Sequence, residues 1–451
     1  MKRTLLILSL LAFISLNVSA QMENFEDFTK VPGAGTGNFS GGAGLIWIDG
    51  KPHYNLRLTP DVGFKKFGVG LDLNLEFTPD GKLRDENYKT ASQTLSIIRY
   101  VRYGQKKDPV YAKIGMVDYY TLGQGNLIYM YNNSASFDNR KTGFNLDIDF
   151  DKWGFESMYS DFASGGVGGV RGYVRPLRLS EGSAKIPVLS NLEVGFSFAG
   201  DFNSKARVLP KYDSFGMLIG TEEKGAMTGY SVDLGLPIIN NDLLSFDIYT
   251  NYTKFTDYGS GFNTGFMVSL KGLGIVNLST KFERRFNDGK FLPNYFDALY
   301  EIERYRDIGG FPAGKVLALE GIGQADNGWF GALRADVLNY ATVYGSYQRL
   351  DKTPNSGILQ LKADLSPKDG AYVLYAGYDK TGIQSESELF TTDERSHAYV
   401  EAGYKPYKFL IVSLVYHWTY LPVRDGSNNV IGYEPQKRIE PRVSFVIPFN
   451  F

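Results

Sequence analysis

Apolar residues recur at every second position through much of this chain. Phe67, Val69, Leu71, Leu73, Leu75 and Phe77 alternate with Gly68, Gly70, Asp72, Asn74 and Glu76. Successive side chains of a strand point to opposite faces, so this stretch has one unbroken apolar face and one polar face. The same period runs from Phe144 to Phe150, with Asn145, Asp147 and Asp149 between, and from Leu192 to Phe198. It returns from Leu244 to Ile248 around Asp247, and from Leu359 to Leu365 around Lys362 and Asp364. A chain patterned in this way is all-β.

The connections alternate between tight and long. Tight ones are Lys65-Lys66, Asp151-Lys152, Asn240 to Asp242, Lys271-Gly272-Leu273 and Lys405 to Tyr407. Long ones run over 78–91, 119–142, 203–225, 287–327, 381–396 and 422–436. Short turns at one end and long loops at the other predict a transmembrane antiparallel up-and-down β-barrel with its short turns in the periplasm. Soluble sandwiches and propellers alternate as well, but runs such as 243–255 and 274–286 are long enough to cross a bilayer when tilted. A mean hydropathy of -0.22 is too polar for a bundle of membrane-spanning helices. Counting back from the carboxyl terminus predicts about 18 to 20 strands, with about 16 as the lower bound and an even number required if both ends are periplasmic. The strand-like segment 315–323 would invert the later loops if it spanned, so it is assigned to the loop 287–327.

The amino terminus reads as a signal peptide over 1–20: Lys2 and Arg3, an apolar run from Thr4 to Leu16, then Val18-Ser19-Ala20 before Gln21. Residues 21–42, irregular and rich in glycine, predict a periplasmic or lumenal lead-in, with a single barrel over 43–451. At the other end Ile439, Pro441, Val443, Phe445, Ile447, Phe449 and Phe451 alternate with Arg438, Glu440, Arg442 and Ser444. This segment resembles the last strand of bacterial outer-membrane β-barrel proteins of the porin-like kind. The resemblance implies residence in the outer membrane, contact with its lipid, and recognition of the terminal aromatic by the barrel-assembly machinery. Pro441 and Pro448 depart from the pattern and should interrupt the strand ladder locally.

In such a barrel the apolar face meets lipid and the polar face lines the lumen. Parity then places Asp72, Asn74, Glu76, Asp147, Asp149, Asp247, Asn251, Lys281, Glu283, Arg285, Lys362, Asp364, Arg438, Glu440 and Arg442 on the inner wall. Unpaired charges are costly in a dry core, so these residues imply either an aqueous channel or salt-bridge ladders that close it. In the loop 287–327, Tyr295, Phe296, Ala298, Leu299, Ile302 and Tyr305 fall on a 3.6-residue period between Asn294 and Gly309, which predicts a helix. Its opposite face would carry Asp297, Glu301, Arg304 and Asp307 toward water, as candidates for an infolded constriction.

The remaining chemistry is sparse. With 48 Lys plus Arg against 49 Asp plus Glu, no nucleic-acid partner is expected. No Cys and 3 His leave no disulfide and no thiolate, and make a zinc site a poor fit, so neither metal nor cofactor is expected. Gly309 to Val316 matches a phosphate-binding loop except that Val316 stands where a hydroxyl would ligate magnesium. Gly33, Gly35 and Gly37 do not follow a strand and read as flexible chain. His417 with Thr419 is the best case for a nucleophile and base, but no Gly-x-Ser-x-Gly motif accompanies it. The sequence therefore points to an outer-membrane channel passing small hydrophilic solutes. A barrel that scaffolds surface machinery through its long loops is the alternative, and a barrel hydrolase the second. Solute identity, lumen opening and oligomeric state are not set by the sequence.

Overall fold

Each alternating segment pairs antiparallel with the next in sequence. The computed structural model describes residues 31–450 apart from 87, 90, 107, 164, 272, 273, 339, 368 and 369. The signal peptide expected over 1–20 and the terminal Phe451 lie outside the described residues. In chain order the wall consists of β1 (Thr36–Ile48), β2 (Lys51–Leu58, resumed as Asp61–Phe64), β3 (Phe67–Leu71, resumed as Leu73–Phe77), β4 (Ile98–Tyr103), β5 (Val110–Gly115), β6 (Gly143–Asp149) and β7 (Trp153–Tyr159). It continues as β8 (Val167–Val174), β9 (Glu193–Asp201), β10 (Met227–Asn240), β11 (Leu244–Phe255), β12 (Ser260–Leu270), β13 (Val276–Asn287) and β14 (Asp326–Val337). The last strands are β15 (Ala341–Leu350), β16 (Gly357–Leu365), β17 (Tyr372–Ile383), β18 (Ser396–Tyr407), β19 (Leu410–Arg424) and β20 (Val430–Asn450). These 20 strands close on themselves, with Thr36 of β1 opposite Asn450 of β20 and Ile48 opposite Arg438. The even number puts both ends of the wall on the side of the tight turns.

Two prolines explain local breaks. β2 is interrupted at Pro60, which has no N–H to donate to a ladder. On β20, pairing with β19 continues through Leu414 opposite Pro441. On the β1 side it stops between the pairs Gly44–Arg442 and Trp47–Ile439, the interruption expected of Pro441.

Three boundaries differ from the sequence reading. β1 begins at Thr36, inside the stretch expected as an irregular lead-in. Its glycines answer to crowding: a side-chain carbon on Gly37 would lie 2.8 Å from the Asp61 carbonyl oxygen, and one on Gly42 would lie 2.8 Å from that of Val443. Lys405 to Tyr407 belong to β18, so the tight turn is Lys408-Phe409. The connection expected over 422–436 is shorter, because β19 runs to Arg424 and β20 starts at Val430.

Exposure follows parity with the polarity of a membrane barrel. In β3, Phe67 is 55% exposed and Val69 37%, whereas Asp72, Asn74 and Glu76 are buried. Apolar side chains face out and charged ones face in, the inverse of a soluble barrel. Among the described residues no helix is long and apolar enough to cross a membrane. Of the long connections, 203–225 forms a projecting hairpin, Val208–Tyr212 with Leu218–Glu223. Two others, 116–142 and 288–325, turn into the barrel, and they shape the site.

Candidate functional site: a lumen narrowed by two infolded loops

The wall is built from inward residues of neighbouring strands that satisfy one another. On β13, Arg285 lies 2.6 Å from Glu283 and donates to the Gln348 side chain of β15 at 2.5 Å. The Tyr249 hydroxyl of β11 donates to Glu283 at 2.8 Å. Lys281 of the same strand lies 3.8 Å from Glu283. Across β2 and β3, Arg57 grips Asp72 through two bonds of 2.9 and 2.8 Å, and Arg140 reaches the same carboxylate at 3.1 Å. Asn74 accepts from Asn55 at 2.8 Å and donates to Glu76 at 2.9 Å. Glu76 in turn meets Arg84 and Arg438. Arg442 lies 3.7 Å from Glu440 and 3.4 Å from Glu401.

The wall residues named by parity thus all face the interior. Asp247 is buried, while Asp147, Asp149, Lys362 and Arg442 are half-buried. Paired charges are what an interior requires, since an isolated buried ion costs several kcal/mol. Asn55 Oδ1, Asn145 Oδ1 and Arg438 Nη1 on this wall, and Arg140 Nη2 of the connection 116–142, are buried with no protein partner. Buried polar atoms of this kind are ordinarily satisfied by water.

Sequence parity missed the strongest ionic node. Arg171 of β8 binds Asp233 of β10 at 2.6 and 3.1 Å, Glu193 of β9 at 2.7 Å and Glu156 of β7 at 3.2 Å. Arg175 joins Glu193 at 2.9 Å to Asp149 at 2.9 Å. Gly168, Gly169 and Gly172 interrupt the apolar–polar alternation of this strand and hide its inward face.

The extracellular half of the lumen receives the two loops. In 116–142, Tyr120 and Tyr131 exchange backbone bonds of 2.9 Å, and Val117, Leu122, Leu127, Ile128 and Met130 are buried. In 288–325, Phe291, Tyr295, Phe296, Leu299 and Tyr300 are buried. The segments are stitched together by Asn294 N–H to the Asn126 carbonyl (3.0 Å), Phe296 N–H to Leu127 (3.1 Å) and Tyr129 N–H to Phe296 (3.1 Å). They pack on Met158, Val167, Ala199, Met227 and Phe255, which point inward from β7 to β11.

Ions anchor the same loops. Lys141 donates to Glu301 at 2.5 Å, Glu301 lies 3.6 Å from Arg304, and Arg304 donates to Asp201 of β9 at 2.5 Å. Tyr131 also donates to Glu301, and Tyr300 to Asp201 at 2.8 Å. Burial acts to raise Glu301, but Lys141 and Arg304 outweigh it and hold the carboxyl below its ordinary range. Lys315 lies between two carboxylates, Asp297 at 3.0 Å and Glu303 at 2.7 Å. Burial, with Glu303 adding repulsion, pushes Asp297 up to about 6 despite Lys315.

The loop differs from its sequence reading in two respects. The expected helix reduces to a single turn, Tyr300–Glu303, because the chain before it is extended and pairs with 126–129. Asp297, Glu301 and Arg304 face protein rather than water. Asp307 is exposed in the small hairpin Tyr305–Asp307 with Pro312–Gly314, away from the other three. The inward fold of 116–142 was not anticipated, although its apolar run Leu127 to Tyr131 signals it.

The remaining motifs serve the interior. Lys315 of the phosphate-loop-like stretch is spent on its two carboxylates, and the segment carries only the single helical turn Leu317–Glu320. Gly37 belongs to β1. The His417 ring lies 4.7 Å from both the Phe137 and Tyr399 rings, and the Thr419 hydroxyl donates to the Ala135 carbonyl at 3.0 Å, so the two do not form a nucleophile and base. Among the described residues no His, Cys, Asp and Glu group could hold a metal ion.

No protein-family model matches the sequence, and no curated protein matches it. Solved structures do. OccK11 (OpdR) of Pseudomonas aeruginosa is 10% identical, with 94% of this chain and 99% of that one covered and a TM-score of 0.31. OccD3 (OpdP) of the same organism is 11% identical over 98% and 96%, with a TM-score of 0.31. Acinetobacter baumannii OccAB2 is 10% identical over 92% and 98%, with a TM-score of 0.30. At this identity and TM-score the likeness extends to neither solute nor role.

Proposed function

We propose that this barrel is an outer-membrane channel for small hydrophilic solutes, narrowed at its extracellular half by the two infolded loops. The observation that carries the reading is the polarity of the closed wall: apolar outside, and inside a lining of ion-paired polar groups except where the loops dock on the apolar patch of β7 to β11. Arg334, Asp336, Asp364 and Glu401, toward the tight-turn end, are half-buried inward residues and offer a polar vestibule of both charge signs. A solute moving from there meets the stitched loops, so passage is controlled where 116–142 and 288–325 dock. No step of bond-making chemistry is required.

Purified protein in a planar bilayer should show discrete salt conductance. Its absence from correctly folded protein would favour the second reading, a plugged barrel that anchors surface machinery. That reading draws on the apolar core the two loops form in the lumen, and on the projecting hairpin at 208–223, where Phe215 is 89% exposed.

A further inference from the structure

The outer face of β13 to β15 carries a feature that passage through the lumen does not use. Arg284, Trp329 and Arg349 stand side by side on three adjacent strands: Trp329 is the register partner of Arg284 on one side and of Arg349 on the other. All three point outward, since their neighbours Glu283, Arg285, Phe330 and Gln348 are buried in the interior. One step toward the periplasm, the row becomes Phe282, Gly331 and Tyr347. Nothing lies within 4 Å of where a Gly331 side chain would start, so the sheet there is bare between two aromatic walls. The result is a groove of about 490 Å³, lined by Phe282, Trp329, Gly331, Tyr347, Arg349 and Asp351.

Its two ends differ in chemistry. The floor and walls are apolar, with the Phe282 and Trp329 rings 5.3 Å apart. At the extracellular end, the Arg284 guanidinium lies over the Trp329 ring at 4.2 Å and pairs with Asp351 at 2.8 Å. Arg349 pairs with Glu386 at 2.8 Å. Those carboxylates lie at the surface, Asp351 being 35% and Glu386 76% exposed, so solvent screens both pairs. Trp329 sits three residues inside the extracellular end of β14, about 10 Å along the strand. Trp and Arg side by side near the end of a strand are side chains suited to the membrane–water interface.

We propose that this groove binds an anionic acyl lipid of the outer leaflet that carries a phosphate monoester, one acyl chain lying over Gly331 between Phe282 and Tyr347 and the phosphate bridging Arg284 and Arg349. Guanidinium pairs suit phosphate, which accepts paired N–H bonds. The site rests on the reading that the outer face meets lipid, and is independent of whether the lumen conducts.

The test is native mass spectrometry of the full-length protein, released from an uncharged detergent after incubation with diphosphorylated lipid A, phosphatidylcholine or inorganic phosphate. Wild type should retain lipid A at least about fivefold more than phosphatidylcholine, as the charge-assisted contacts require. Arg284→Gln with Arg349→Gln should abolish that preference, and Gly331→Leu, which fills the floor while keeping both arginines, should lower lipid A retention to a similar degree. Heat-shifted gel mobility reports that each barrel is folded. Equal retention of both lipids by wild type, or an unaltered preference in the double variant, overturns the headgroup assignment. Unchanged binding by Gly331→Leu overturns the acyl slot and stands as a test even if the double variant fails to fold. Displacement of lipid A by millimolar phosphate alone would mark a site for free phosphate and also overturn the proposal. Loss of conductance in planar bilayers, with lipid A retained, would strike the channel reading and leave this one intact.

Discussion

Arg304→Met tests whether the infolded loops gate the lumen. The substitution keeps a side chain of similar reach and removes the guanidinium that joins Asp201 at 2.5 Å and Glu301 at 3.6 Å, all three residues being buried. Asp201 then keeps the Tyr300 hydroxyl, 2.8 Å away, without its cation. Removing one member of a buried ion pair costs about 3–5 kcal/mol. The loop is also held by Phe291, Tyr295, Phe296, Leu299 and Tyr300, all buried. Each contributes about 1.5–3 kcal/mol on burial, and that sum exceeds the ionic loss. The variant should therefore dock its loop most of the time while populating the released state about a hundred- to several-thousand-fold more than wild type. Single-channel recording reads this as the fraction of time at a larger conductance level, and limited proteolysis of 288–325 should rise in step. Arg304→Lys, which restores a point charge, should fall between. A folded Arg304→Met barrel with wild-type conductance and wild-type protease resistance would show that these ions do not hold a gate.

Phe196→Arg, outward on β9, should lower folded barrel yield by about 2–4 kcal/mol of stability, while Ser444→Arg, inward on β20, should fold normally; urea titration in lipid vesicles distinguishes them, and the reverse ranking would invert the faces. Arg171→Met leaves Asp233, Glu193 and Glu156 without their shared cation and should destabilise the wall by about 3–5 kcal/mol, read as a lower urea midpoint; an unchanged midpoint would show that the node is idle. Docking of 288–325 should also depend on pH: Asp297 rises from its ordinary 3.8 to about 6 when buried, so its contribution is fully present below about pH 4 and is lost as pH climbs through about 6. Lys315, raised by Asp297 and Glu303 against its burial, stays an ammonium across that window. The larger conductance level should become more frequent between pH 4 and 7, and Asp297→Asn should flatten the curve; a flat wild-type profile counts against the docked carboxyl.

The wall was legible because a two-residue period reports inside and outside at once. Phe67 to Phe77 states both faces of β3 without any knowledge of its neighbours, and the polar set Asp72, Asn74 and Glu76 lies inside as parity requires. Strand number followed from loop alternation and parity. Glycine was the chief source of error. At Gly37 and Gly42 it reflects crowding by β2 and β20, a contact between residues far apart in sequence that no local pattern encodes. In β8 it erased the alternation around Arg171.

The loops were harder for a physical reason. A segment lying inside a core is apolar on every side, so its extended chain shows no period of two. Leu127 to Tyr131 has that character, and the apparent helical spacing of Tyr295 to Tyr305 arose because buried residues recur on both faces. Ion pairing gives no help locally either, since Lys141 and Glu301 are 160 residues apart. The signal lies in the wall instead. Met158, Val167, Ala199, Met227 and Phe255 occupy inward positions at the extracellular ends of five consecutive strands, where parity calls for polar residues. An apolar patch facing a wet lumen would be costly, so it demands a cover. The connections that follow β5 and β13 supply most of that cover, with Ala206 and Leu209 of the connection after β9 joining the same core. Breaks in the polar parity of a barrel thus mark where a loop must fold in: here the apolar sides of the two loops meet β7 to β11, while polar residues of 116–142 such as Arg140 meet the charged side at Asp72 of β3.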